Sequence, residues 1–139
     1  MRLVALFSFL LVLGCTSDNS IGTSISDINT QSFTIYNHTG HLIRRGGEKC
    51  GDAVQVAFAL SSPEDRQEYV INGDNIQSVS LIAERGQTIN VSAYEVDGLH
   101  RTLLTQRSMT FDPPADSDRQ VIPSIILCPK DQMEFYDFN

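Results

Sequence analysis

Thr88-Ile89-Asn90-Val91-Ser92-Ala93-Tyr94-Glu95-Val96, followed at once by Asp97-Gly98, is the stretch on which the fold turns. Ile89, Val91 and Ala93 alternate with Asn90, Ser92 and Tyr94. A period of two places one set on each face of a strand, and the apolar set belongs inward. Asp97-Gly98 then supplies residues that tolerate the positive φ of a tight hairpin, so Arg101 to Phe111 is read as the returning strand. Upstream, Ile76 to Ala83 repeats the alternation with Val79, Leu81 and Ala83 on one face, and Glu84-Arg85-Gly86-Gln87 turns the chain.

The same pattern extends outward from there. Ala53 to Leu60 sets Val54, Val56, Phe58 and Leu60 on one side, Ser61 to Asp65 is a turn, and Glu68 to Ile71 is a short strand stopped by Asn72-Gly73. Ser32-Phe33-Thr34-Ile35-Tyr36 is β-branched and aromatic and breaks at Asn37-His38-Thr39-Gly40, with His41 to Ile43 as a continuation. Asp112 to Arg119 is a Pro- and Asp-rich loop. Gln120 to Cys128 is a further apolar strand, and Pro123 within it points to an edge position or a bulge, because proline donates no ladder hydrogen bond. About seven strands with frequent turn signals, and no helical-period segment, predict an all-β antiparallel β-sandwich, immunoglobulin-like or transthyretin-like, with a small barrel as the alternative. The absence of Trp argues against a true antibody-type domain.

The first 15 residues are of a different kind. Met1-Arg2 is a basic start, Leu3 to Leu13 is apolar except for Ser8, and Val12-Leu13-Gly14 leads into Cys15. Such a run is shorter than the roughly 20 residues a spanning helix needs and fits the apolar region of an export signal. It resembles a bacterial lipoprotein signal with its lipobox. That resemblance implies cleavage after Gly14, acylation of Cys15 with chains such as palmitate, and attachment to the lipid bilayer of the cell envelope. Thr16, rather than Asp, follows the cysteine, which within the resemblance favours the outer membrane over the inner. The chain thus divides into residues 1–14 as signal peptide, 15–31 as the lipidated cysteine and a polar tether, and 32–139 as the sandwich. A tether of that length lets the domain stand about 20 Å off the lipid.

Removing the first 14 of 139 residues leaves 125, ample for a single core. Arg2 leaves with the leader, so 9 basic and 17 acidic residues remain, a balance of −8. That charge disfavours nucleic acid and anionic headgroups as partners. With Cys15 acylated, Cys50 and Cys128 are an even pair in an exported chain and are expected to form a disulfide in an oxidising periplasm.

No catalytic motif stands above background, so the chain is read as a non-enzyme without cofactor. His38, Gly40 and His41 form a turn in which two imidazoles could meet a metal, but surface residues are the preferred reading. Asp112, Asp116 and Asp118, and separately Asp131, Glu134 and Asp137, could serve calcium, yet the EF-hand spacing is absent. Phe135, Tyr136 and Phe138 crowd the C-terminus, either as a last strand docking on the core or as an exposed aromatic patch for a protein partner. The turns at Asn37–Gly40, Asn72–Asn75 and Asp112–Asp118 are further candidate surfaces. The expectation is a lipid-anchored envelope module that binds a protein partner or gives structural support. A small-ligand or glycan-binding domain is the alternative, favoured by any pocket lined by Tyr94 or Tyr136, and an envelope hydrolase is a third, weaker reading.

Overall fold

The computed structural model describes residues 30–43, 49–112 and 122–138. The leader, Cys15 and the tether up to residue 29 lie outside them, as does the loop 113–121 with Asp116 and Asp118. The described residues form eight strands and no helix: β1 (Thr30–Asn37), β2 (Val56–Ser61), β3 (Arg66–Ile71), β4 (Asn75–Ile82), β5 (Thr88–Asp97), β6 (His100–Thr110), β7 (Ser124–Leu127) and β8 (Met133–Tyr136). They make two four-stranded sheets, ordered β4-β1-β7-β8 and β3-β2-β5-β6. Two packed sheets are a sandwich and exclude the barrel. The eighth strand beyond the expected seven comes from the C-terminal segment.

Three finer expectations are corrected. The first sheet is mixed rather than wholly antiparallel, because β1 and β7 run parallel. β7 is also not an edge strand, since it lies between β1 and β8. Pro123 is compatible with an interior strand because it stands just before the first strand residue. Its missing N–H costs nothing there, and its carbonyl accepts from Thr34 N at 2.9 Å. The segment His41–Ile43 does not continue β1; only an isolated bridge joins Leu42 to Lys49.

Alternation determines what each sheet buries. Phe33, Ile35, Val79, Leu81, Ile125, Leu127 and Met133 from the first sheet meet Val56, Phe58, Leu60, Ile89, Val91 and Ala93 from the second. Full burial of such side chains contributes about 1.5–3 kcal/mol each. Phe138 joins this core: its ring stacks on Phe33 at 5.4 Å, and Phe135 stands edge-on to it at 5.1 Å. The Phe138 carbonyl accepts from Asp112 N at 2.8 Å, which ties the chain end down.

One end of the sandwich is closed by polar groups. Asn37 and Thr39 are fully buried. Asn37 Nδ2 donates to the Val54 and Ile71 carbonyls, each at 2.9 Å, and Asn37 Oδ1 accepts from Thr39 N and Thr39 Oγ1. Val54 N donates to Thr39 Oγ1 at 3.1 Å. One side chain of β1 thereby holds the segments leading into β2 and out of β3, joining the two sheets without leaving an unpaired buried group. Gly40 makes the turn possible: its φ is +84°, and a Cβ there would sit 2.5 Å from that of Ala53. Beside this clasp, Cys50 and Cys128 are disulfide-bonded with Cα atoms 4.9 Å apart, pinning the end of β7 to the segment before β2.

Candidate functional site

The outer face of the first sheet carries an apolar row. Register places Ile76 on β4, Tyr36 on β1, Ile126 on β7 and Glu134 on β8 side by side. Ile76 is 62% exposed, and Leu42 and Ile43, in the segment that overhangs the row, are 57% and 41% exposed. Apolar residues scattered singly are ordinary on a surface, but a contiguous group is a mark of contact. Below the overhang lies a pocket of about 460 Å³ walled by His38, His41, Leu42, Ile126, Glu134 and the Cys50–Cys128 bridge.

The imidazoles at its mouth are organised. His38 and His41 stack at 4.8 Å, Tyr36 meets His38 edge-on at 5.3 Å, and His41 Nδ1 contacts Asp74 Oδ1 at 2.6 Å. Partial burial holds the His38 imidazole below its ordinary value, and His41 adds to this while Asp74 opposes it. Among the described residues no group of three or more His, Cys, Asp and Glu is placed to hold a metal ion. The two histidines form a stacked wall joined to the Asn72–Asn75 turn through Asp74.

The second sheet presents a different surface. Three outward rows cross it: Val70, Ala57, Tyr94 and Leu103; then Glu68, Ala59, Ser92 and Gln106; then Arg66, Ser61, Asn90 and Ser108. The two central strands β2 and β5 contribute mostly small side chains, so the middle of the sheet is a trough. A bulge after Ala93, where Tyr94 pairs with Leu103 and Leu104 is passed over, adds twist and curls the sheet. A polar pocket of about 350 Å³ results, lined among others by Arg66, Asn90, Ser92, Tyr94 and Gln106.

The expected site residues divide as follows. Cys50 and Cys128 are joined as a disulfide, while Cys15 lies outside the described residues. The aromatic tail is not a single exposed patch. Phe138 is core, Phe135 is half-buried under the Arg107 guanidinium at 5.4 Å, and only Tyr136 is exposed, with its hydroxyl donating to the Glu134 carboxylate. Strand period turns Phe135 and Tyr136 to opposite sides once β8 pairs with β7, and the positive φ of Asp137 (60°), past the end of β8, breaks that period before Phe138. The Asn37–Gly40 turn likewise loses Asn37 and Thr39 to the interior. Asp112 pairs with Arg85 at 2.9 Å, and Lys130 pairs with Glu95 at 3.1 Å. Sequence reading missed Ile76, Ile126 and the trough. The signal was present in the outward positions of β2, where Ala57, Ala59 and Ser61 are all small. No protein-family model matches the chain, and neither does any curated protein or solved structure.

Proposed function

We propose that this chain is a lipid-anchored protein of the bacterial cell envelope whose sandwich works as a binding module for another envelope protein. Cys15 carries the lipid, the outer membrane is its bilayer, and the outer face of the first sheet is the contact surface. The observation that supports this reading is the row Ile76, Tyr36 and Ile126 beside the overhanging Leu42 and Ile43. Ile76, Leu42 and Ile43 are exposed and Tyr36 and Ile126 half-buried, so the described residues cover this apolar strip only in part. Burial of such a strip on a partner releases water at about 25 cal/mol per Å². Aromatic and aliphatic anchors at the centre with polar groups around them match the composition of protein contacts. The module needs no catalytic group for this role.

The test is site-specific photo-crosslinking in intact envelopes. A crosslinker at Leu42 or Ile76 is expected to trap one discrete protein partner, while one at Thr102 on the second sheet traps none. Ile126→Lys should abolish the adduct at Leu42 while leaving acylation and folding intact. Adducts of equal yield from both faces would remove the proposal.

A further inference from the structure

We propose that the trough on the outer face of the second sheet is a saccharide site, taking a sugar chain that carries carboxylate groups. It lies on the sheet opposite the apolar strip, so it goes beyond the docking role, and either proposal can fail without the other.

The shape argues first. A volume of about 350 Å³ is near the lower end of small-ligand sites, which run from about 300 to 1,000 Å³. The floor is Ala59, Ser61 and Ser92, so one flat ring can lie on the backbone of β2 and β5 without displacing a side chain. Tyr94 stands at one end as a half-buried ring, a surface on which the C–H face of a sugar can pack.

The polar groups argue next. Asn90, Gln106, Ser61 and Ser92 converge from three strands, offering amides and hydroxyls of both donor and acceptor type. Asn90 Oδ1 already accepts from Ser108 Oγ at 2.5 Å, which orients its amide N–H groups for a ligand oxygen. Hydroxyl-rich sugars are the ligand class that uses such a mixed set together with an aromatic ring.

Charge selects the kind of sugar. The chain is strongly acidic, yet the three outward rows of this face contain a single acid, Glu68. Arg101 binds both oxygens of that carboxylate at 2.8 Å. Arg66 meets no carboxylate within ion-pair distance among the described residues. An unpaired guanidinium in a trough whose one acid is neutralised makes a local positive site, and its fork matches a carboxylate in two-pronged geometry. Asp65, next to Arg66 in the chain, has its carboxylate engaged instead by Ile82 N and Gln67 Nε2, each at 2.9 Å.

The experiment uses the full chain with Cys15→Ser, which leaves no sulfur to acylate, and two probes: tetragalacturonate and its fully methyl-esterified form. Saturation-transfer NMR should show the acidic tetramer in contact with the protein, and titration should show the ester binding about tenfold more weakly. Arg66→Ala should lower affinity for the acid to that for the ester, and Tyr94→Ala should weaken both. Arg66 is exposed on an edge strand, so its variant keeps the parent's thermal midpoint, and that midpoint is measured alongside. Absence of binding by both tetramers overturns the proposal. So does equal affinity for acid and ester, or an affinity that neither Arg66→Ala nor Tyr94→Ala changes.

Discussion

Arg101 and Glu68 stand on opposite edge strands of the second sheet, β6 and β3, yet their side chains meet in two contacts of 2.8 Å. Two whole strands lie between them. The contact is possible because Ala57 and Ala59 leave the centre of the sheet low and the bulge after Ala93 curls its edges. Both partners are exposed, so the pair contributes little to global stability. It bridges the trough from one edge strand to the other.

Glu68 reports on that pair through its titration. The bond from Arg101 holds its carboxyl below the ordinary value of 4.5, against a smaller opposing effect of burial. A depressed folded-state value contributes stability that is complete above 4.5 and is lost as pH falls through the lower folded value. Carbon-detected NMR titration of Glu68 is expected to show the depressed midpoint, and Arg101→Gln should return it toward 4.5. An unchanged midpoint in that variant would show that the pair does not form in solution.

Asn37 is expected to be among the most sensitive positions of the domain. Replacement by Ala takes the amide donor from the Ile71 carbonyl and leaves the Val54 carbonyl and the Thr39 hydroxyl with only each other and Val54 N, costing roughly 2 kcal/mol. Asn37→Asp, of equal size, should also destabilise, because a carboxylate cannot donate to those two carbonyls. Urea unfolding measures both. A loss well under about 1 kcal/mol in Asn37→Ala would mean water replaces the amide at little cost.

Reduction of Cys50–Cys128 should lower the thermal midpoint sharply. A bond spanning a sequence separation of 78 restricts the unfolded chain and stabilises by about 4 kcal/mol. The paired variant Cys50→Ala with Cys128→Ala should match the reduced protein in calorimetry, and the parent should show no further shift once reduced and alkylated. Equal midpoints with and without reductant would exclude the bond as a stabilising element.

The end of the sandwich around His38 should loosen in mild acid. Its folded-state value lies below the ordinary 6.5, chiefly through burial, so the unfolded chain binds the proton more readily. Stability is therefore complete above 6.5 and falls as pH drops from 6.5 toward the lower folded value. Thermal midpoints taken from pH 7.5 to 5 should decline, and His38→Gln should flatten that part of the curve. A curve identical in the variant would place the acid sensitivity elsewhere.

How much of this was legible in the chain differs by element. The strands at Thr88–Asp97 and Asn75–Ile82 follow directly from strict alternation, as does the inward set Val56, Phe58 and Leu60. The tail was ambiguous because Phe135, Tyr136 and Phe138 are equally apolar on paper. Pairing with β7 decides between Phe135 and Tyr136, and the positive φ at Asp137 breaks the strand period before Phe138. Asn37 read as a turn residue because nothing local says that two carbonyls distant in sequence will need its amide.

The amino-acid order alone determined the all-strand class, the two-faced alternation that builds a sandwich, and the pairing partner available to each cysteine of the domain. These depend on periodicity and parity, which are local properties. Tertiary structure decided the parallel pairing of β1 with β7, the clasp at Asn37, and which small outward side chains line up into a trough. Such features depend on register between strands far apart in the chain, and a one-residue slip would send each of those side chains to the other face.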